Sequence, residues 1–199
     1  MRPAVFLDRD GTVIAHEHHL ADASRVRVLP EAAAGIRKLR SAGFLAVVVT
    51  NQSVIGRGLL DEPGLARIHE TMRQQLASFG AAVDAIHWCG HAPTTEDEEH
   101  SEHPDRKPAP GMLLRAAAEL DIDLGASWMI GDSLRDILAG RRAGCRESIL
   151  VLSGPSAFRF QRHEAVTLVA EHVGRAAEII LLAKSDPAKH HPRTSGLMR

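Results

Sequence analysis

Short apolar runs alternate with longer segments of helical spacing along most of this chain of 199 residues. The runs are rich in Val and Ile, which predicts strands buried on both faces of a sheet. We predict strands at 4–7, 45–50, 85–89, 128–130 and 149–152, and helices at 31–42, 63–79, 111–120 and 133–143. This alternation predicts an α/β fold with a doubly wound, Rossmann-like parallel sheet.

The length is that of a single domain, which we place at residues 1–183. No separate domain-sized insertion follows the first strand, so we expect no large cap domain over the site. A polar, acidic loop is inserted at 89–105, where residues 92–105 carry most of the acidic side chains. Residues 184–199 form a polar tail with two prolines, which we predict to be disordered.

Composition excludes several classes of protein. Lys and Arg (24) nearly balance Asp and Glu (25), so there is no basic field for nucleic acid. Two cysteines indicate no disulfide framework, and no apolar stretch approaches the length of a signal peptide or a membrane span. We expect a cytoplasmic monomer, without nucleic acid or membrane as a partner.

Polar clusters follow three of the predicted strands. They are Asp-Arg-Asp-Gly-Thr at 8–12, Thr-Asn-Gln-Ser at 50–53 and Gly-Asp-Ser at 131–133. Ligands of open parallel sheets bind beyond the carboxyl ends of the strands, where the strand order switches. We therefore expect the three clusters to meet at one edge of the sheet.

Asp8 and Asp10 stand two residues apart at the end of the first predicted strand. Two carboxylates there repel each other, and burying them without a partner is costly. A divalent cation removes this conflict, and hard oxygen ligands suit Mg²⁺. The alternative is a solvated Asp-Arg-Asp-Gly turn, but the position after a buried strand favours a magnesium site.

The Asp8-x-Asp10-Gly11-Thr12 string resembles the first motif of the haloacid dehalogenase-like (HAD) phosphohydrolases. The family's later motifs follow in order over residues 4–155. They are Thr50, then Lys107, then the acidic stretch 131–136. The segments 50–53, 56–58 and 106–112 are similar, more closely, to the D-glycero-D-manno-heptose 1,7-bisphosphate phosphatases. The phosphatase half of bifunctional histidinol-phosphatases belongs to the same branch.

The resemblance implies a phosphomonoester hydrolase that works through an aspartyl-phosphate. Asp8 is then the nucleophile, and Asp10 is the general acid and base that serves the leaving alcohol and the attacking water. Mg²⁺ is bound by the Asp8 carboxylate, the Asp10 backbone carbonyl and Asp132. Asp136 comes one helical turn after Asp132, where it either faces the same site or caps the helix.

The same resemblance assigns the substrate-binding residues. These are Thr50, Asn51, Gln52, Ser53, Arg57, Arg106 and Lys107. The planar forks of Arg57 and Arg106 suit a second phosphate or a hydroxyl-rich sugar. The implied reaction removes one phosphate from a sugar bisphosphate such as the heptose 1,7-bisphosphate. Histidinol phosphate or another small metabolite is the alternative substrate, and a non-catalytic phosphometabolite-binding protein is the alternative of a different class.

Some positions depart from the relatives. Val54 and Ile14 stand where a glycine and an asparagine are common, which we expect to make the mouth less polar, and Ser133 replaces a lysine.

The zinc-bearing relatives have Cys-x-His and then Cys-x-Cys before Arg-Lys-Pro. Here the corresponding set is Cys89, His91, His103 and Asp105, with His100 as another possible fourth ligand. The set either binds a structural zinc ion or is a zinc-free loop with solvated histidines.

The nucleophile assignment predicts that Asp8→Asn abolishes turnover and leaves the fold intact, because the attacking oxygen loses its charge. Phosphate release measured beside circular dichroism checks this. Residual activity within about tenfold of the wild type would contradict the role of Asp8, since a covalent nucleophile contributes far more than this factor.

Overall fold

The strands form one parallel six-stranded sheet in the order β3-β2-β1-β4-β5-β6. A computed structural model describes residues 1–95 and 97–185 of the chain. The strands are β1 (Ala4–Leu7), β2 (Leu45–Asn51), β3 (Ala85–Cys89), β4 (Trp128–Gly131), β5 (Glu147–Val151) and β6 (Leu168–Ala170). The chain runs outwards from β1 in one direction and returns to β4 on its other side. The predicted doubly wound α/β sheet is confirmed.

Helices cover both faces of the sheet. They are α1 (Pro30–Ser41), α2 (Ser53–Gly56), α3 (Glu62–Ser78), α4 (Gly111–Leu120), α5 (Leu134–Ala143), α6 (Ala157–Phe160) and α7 (Val173–Ser185), with 3₁₀ turns at Ala23–Arg25 and Leu124–Ala126. The Asp61 side chain caps α3 by accepting from the Gly64 N–H at 2.7 Å. Gly144 ends α5 with a left-handed φ of 84°. The five predicted strands and four predicted helices agree with these bounds to within two residues.

The pleat of the central strand divides the core in two. Val5 and Leu7 of β1 face a core built with α1, α3 and α7. Ala4 and Phe6 face the opposite core, built with α4 and α5. Because both faces are covered, every residue of β1 is apolar and fully buried, as the continuous apolar run predicted.

The sequence did not reveal β6 and α7. The three residues of β6 are too few for a strand pattern, and Val169 in it is exposed. Helix α7 packs on α1 so closely that a Cβ on Gly35 would lie 2.7 Å from the Val173 carbonyl oxygen. It reaches Ser185, so the first two residues of the predicted tail are helical. The rest of that tail, 186–199, lies outside the described residues.

The described residues contain no cap domain, because short turns and the 3₁₀ helix at Ala23–Arg25 are all that separate β1 from α1. None of the helices in the described part of the chain is long and apolar enough to cross a membrane. The carboxyl edge of the sheet is therefore covered only by loops, which leaves the predicted site open.

Candidate active site

The predicted site lies where the strand order switches, between β1 and β4. Asp8 follows β1 and Asp132 follows β4, and these strands are hydrogen-bonded neighbours. A cavity of about 250 Å³ opens there. Every residue predicted for catalysis, magnesium or substrate lines it: Asp8, Asp10, Thr50, Asn51, Gln52, Ser53, Arg57, Arg106, Lys107 and Asp132. The three polar clusters meet as the strand pattern predicted.

Lys107 occupies the floor of the cavity and is almost fully buried. Its Nζ donates to Asp8 Oδ1 at 2.7 Å, to Asp136 Oδ1 at 2.6 Å and to the Val49 carbonyl oxygen at 2.7 Å. Burial lowers the pKa of Lys107, but the Asp136 and Asp8 carboxylates outweigh burial and raise the pKa above its ordinary value. Lys107 therefore stays cationic beside Asp8.

Asp136 takes both of the roles left open by the sequence. One carboxylate oxygen binds Lys107, and the other, Oδ2, accepts from the Ser133 backbone N–H at 3.0 Å and the Ser133 hydroxyl at 2.7 Å. Asp136 thus caps the start of α5 and faces the cavity floor. A Cβ on Gly131 would lie 2.2 Å from Asp136 Cγ, so glycine is required there for this carboxylate to approach.

The acidic side chains of the site form a group that a cation would stabilise. Oxygens of Asp8, Asp132 and Asp136 lie within 4.8 Å of one another. Burial raises the pKa of Asp8 to about 6, and burial with the Asp8 carboxylate raises the pKa of Asp132 to about 8. Both oxygens of Asp136 are already hydrogen-bonded, which leaves Asp8 and Asp132 for a metal ion. This hard, oxygen-only donor set fits Mg²⁺.

Asp10 is set apart from this group and held by neighbouring side chains. Its carboxylate lies 2.9 Å from Arg9 Nη2 and accepts from Gln52 Nε2 at 3.0 Å. The same Gln52 amide group donates to Thr50 Oγ1 at 2.8 Å. Asp10 therefore has a defined orientation over the cavity, as a general acid and base requires.

The predicted substrate-binding residues divide into two groups. Asn51 binds the Lys107 backbone through both ends of its amide, at 3.0 Å to the N–H and 2.9 Å to the carbonyl oxygen. Asn51 and Gln52 thus use some of their hydrogen bonds to position Lys107 and Asp10. Arg57 is exposed at the mouth, and Arg106 is buried and donates to the His91 carbonyl oxygen at 3.0 Å. Ile14 lies in the core rather than in the mouth, which corrects the expectation for that position.

Comparison with known proteins identifies the family. The HAD-hydrolase-like family model matches residues 105–176. D-glycero-beta-D-manno-heptose-1,7-bisphosphate 7-phosphatases of Photorhabdus laumondii and Escherichia coli K12 are 40% and 39% identical over 153 residues, which is 76% of this chain and 81% and 80% of theirs. A crystal structure of a D,D-heptose 1,7-bisphosphate phosphatase from B. bronchiseptica, complexed with magnesium and phosphate, superposes with a TM-score of 0.78 at 34% identity, covering 90% of this chain and 98% of that one.

This chain belongs to the HAD-like phosphatases. It falls in their heptose-bisphosphate phosphatase branch, as the ordered motifs at 8–12, 50–53, 106–112 and 131–136 predicted. Asp8, Lys107 and the acidic motif lie together at one cavity of the phosphatase. The relatives at this identity are named phosphatases, which supports an enzyme rather than a non-catalytic binding protein.

Two residues of the phosphatase site were missed from the sequence. Arg9, between the two catalytic aspartates, is 1% exposed and donates to Gln52 Oε1 at 2.9 Å. Its Nη1 lies 3.3 Å from His69 Nε2 of α3. Burial and then the Arg9 guanidinium lower the pKa of His69 to about 4, so this ring is neutral and accepts from Arg9. An arginine inside an acidic motif indicates that it pairs with the neighbouring carboxylates, so Arg9 could have been found from the sequence. Nothing in the sequence points to His69.

Among the predicted zinc ligands of the phosphatase, Cys89 and His103 approach each other, but no three of the four lie within metal-binding spacing. Cys89 Sγ lies 3.7 Å from His103 Nδ1, and the His91 ring stacks on the His103 ring at 5.2 Å. The Asp105 carboxylate instead accepts from Arg115 Nη1 at 2.6 Å. Among residues 1–95 and 97–185, only the carboxylates around Asp8 form a group with metal-binding spacing.

Gly154, after β5, packs against the Asp132 carboxylate. A Cβ on Gly154 would lie 1.7 Å from Asp132 Oδ2, so we expect Gly154→Ala to displace that carboxylate. Displacing a group that orients a metal ligand costs about 10–100-fold in metal affinity. The Mg²⁺ concentration for half-maximal phosphate release should rise by this factor.

Gly125→Ala is the matched control, because its added Cβ would make an ordinary contact of 3.5 Å with Asp123 Oδ1. Its Mg²⁺ dependence should equal that of the wild type. An unchanged Mg²⁺ dependence in a folded Gly154→Ala variant would show that Gly154 does not position Asp132.

Proposed function

We propose that this phosphatase removes one phosphate from a sugar bisphosphate, with D-glycero-D-manno-heptose 1,7-bisphosphate as the leading substrate. The proposal rests on the two ends of the cavity. Lys107 binds Asp8 at its floor, and Arg57, Arg106 and Arg135 line its mouth. Relatives named for this heptose bisphosphate support the choice. The floor suits the phosphate that is cleaved, and the mouth suits an anionic or hydroxyl-rich remainder.

The proposed reaction uses the residues of the floor in two steps. In the first, an Asp8 oxygen bonds to phosphorus, the bond from phosphorus to the sugar oxygen breaks, and Asp10 gives that oxygen a proton. In the second, Asp10 takes a proton from water, the water oxygen bonds to phosphorus, and the aspartyl-phosphate bond breaks to release phosphate and restore Asp8. Lys107 stabilises the negative charge on the phosphoryl oxygens throughout.

Magnesium is the proposed cofactor. Asp8 and Asp132, with the Asp10 backbone carbonyl, would hold the ion, and two buried carboxylates this close require a cation to be ionised together. When bound, Mg²⁺ supplies positive charge to the transferring phosphoryl group. The crystal structure of the relative complexed with magnesium and phosphate supports this assignment.

Histidinol phosphate is the competing substrate, and the charge of the mouth argues against it. Histidinol phosphate carries a cationic amine, whereas Arg57 and Arg106 line the cavity; Arg135 lines it too but is paired with Glu98. Like charges at short range are a means of rejecting the wrong substrate. An anionic second phosphate is attracted by the same side chains, so the geometry favours a bisphosphate.

Phosphate release from the two substrates tests the proposal. With Mg²⁺ we expect kcat/KM for the heptose 1,7-bisphosphate to exceed that for histidinol phosphate by at least about 100-fold, because charge complementarity and a second phosphate act in the same direction. EDTA should stop turnover and Mg²⁺ should restore it. Equal kcat/KM values would refute the proposed substrate, and full activity in EDTA would refute the metal.

Arg57→Ala separates recognition of the substrate's far end from the chemistry. Because Arg57 is exposed at the mouth, its loss should lower kcat/KM for the bisphosphate about tenfold and leave an aryl phosphate within about twofold. Arg67→Ala, an exposed arginine of α3 outside the cavity, is the control and should change neither substrate. Equal losses on both substrates would show that Arg57 does not bind the distal group.

A further inference from the structure

The loop 92–105 needs an anchor, because its acidic sequence offers few apolar side chains to a core. Five carboxylates lie between residues 96 and 102. Family resemblance implies a structural zinc ion at its base, bound by Cys89, His91, His103 and Asp105. The ligands of a tetrahedral zinc ion lie 2.0–2.3 Å from the metal, roughly 3.3–4 Å from one another. Cys89 Sγ and His103 Nδ1 come that close, at 3.7 Å, but no three described residues at the base of the loop form such a group.

Two of the proposed donors make other contacts instead. His103 Nδ1 accepts the Asp105 backbone N–H at 3.1 Å, which uses its lone pair. The Asp105 carboxylate pairs with Arg115. His91 Nε2 has no hydrogen-bond partner among the described residues and lies 3.6 Å from the Glu102 carboxylate. In this arrangement the four donors do not form a tetrahedral zinc site.

Three arginines on two helices contact the loop instead. Arg115 of α4 binds the Asp105 carboxylate at 2.6 Å, at the end of the loop. Arg135, near the start of α5, places Nε 3.0 Å from Glu98 Oε2. Both members of this second pair are about three-quarters buried, with side chains 28% and 25% exposed, so water screens the attraction less than at an open surface.

Arg142, near the end of α5, makes the third contact and reaches two segments at once. Its Nη2 donates to the Glu99 carbonyl oxygen at 2.8 Å, and its Nη1 donates to the Pro108 carbonyl oxygen at 3.1 Å. Pro108 directly follows Lys107. One guanidinium thus holds the acidic loop against the segment that carries the lysine of the active site.

We propose that Arg115, Arg135 and Arg142 hold the loop 92–105 in place of a zinc ion. The contacts are spread along the loop, at residues 98, 99 and 105, so they fix its path over its length rather than at one point. Arginine suits this task because its fork donates to carboxylates and to backbone carbonyls alike. The negative charge of the loop then complements the positive charge of the three arginines.

Metal content is the first test. Protein purified without chelator should contain less than about 0.2 equivalents of zinc, against the near-full occupancy of a structural site. Its melting temperature should be the same with and without EDTA in magnesium-free buffer. Zinc near one equivalent, with a melting temperature that falls on chelation, would overturn the proposal.

Limited proteolysis is the second test, with a glutamate-specific protease that cuts the acidic loop. Arg142→Ala removes two hydrogen bonds to the backbone, so cleavage within 92–105 should be about tenfold faster. Arg141→Ala is the matched control, since Arg141 is the exposed neighbour on the same helix and has no contact with the loop among the described residues. Its cleavage rate should equal that of the wild type.

Arg115→Ala provides an independent variant on the other helix and should accelerate cleavage in the same way. Circular dichroism of each variant separates loop release from loss of the fold. If both folded variants are cleaved at the rate of Arg141→Ala, the arginines do not hold the loop and the proposal is refuted.

Discussion

The ammonium group of Lys107 lies among Asp8, Asp136 and the Val49 carbonyl oxygen, and the geometry of the active site depends on that contact. A buried cation is stable only when its hydrogen bonds and charge are satisfied, and here each of its three N–H groups has an acceptor. The two carboxylates are likewise stable beside each other because the cation lies between them. Removing Lys107 would leave two buried carboxylates without a cation.

The contacts of Lys107 with Asp8 and Asp136 require the surrounding backbone to pack closely around these side chains. Asn51 binds both polar groups of the Lys107 backbone, and Ser133 binds the far oxygen of Asp136. Glycines at 131 and 154 leave the space in which the Asp136 and Asp132 carboxylates lie. Catalysis by preorganised charge depends on such supports, since a charged group that has to reorganise during the reaction stabilises the transition state less.

The floor of the active site is left open by the loops around it. No cap encloses the site among the described residues, and Arg57 is exposed at the rim of the cavity. Arg135 contacts that loop through Glu98 and also lines the active-site cavity. The position of the loop and the charge of the mouth are therefore linked through one helix, α5.

The sequence by itself determined the apolar runs of the strands, the spacing of the helices and the order of the motifs. All three are local properties of the chain. They were sufficient for the parallel sheet and for the meeting of Asp8, Asp10 and Asp132 at the switch in strand order, and the family resemblance added Lys107. A buried strand must be apolar and a catalytic carboxylate must follow it, so both leave a trace in sequence.

Tertiary structure decided which distant groups meet. The contact of Arg9 with His69, the packing of Gly154 on Asp132 and the pairing of Asp105 with Arg115 join residues from separate elements. No periodicity or spacing encodes such contacts. Zinc at the loop was inferred from residue types at matching positions, but a metal site also requires its ligand atoms to converge within a few ångströms. That convergence depends on the path of the folded loop, which its own sequence does not specify.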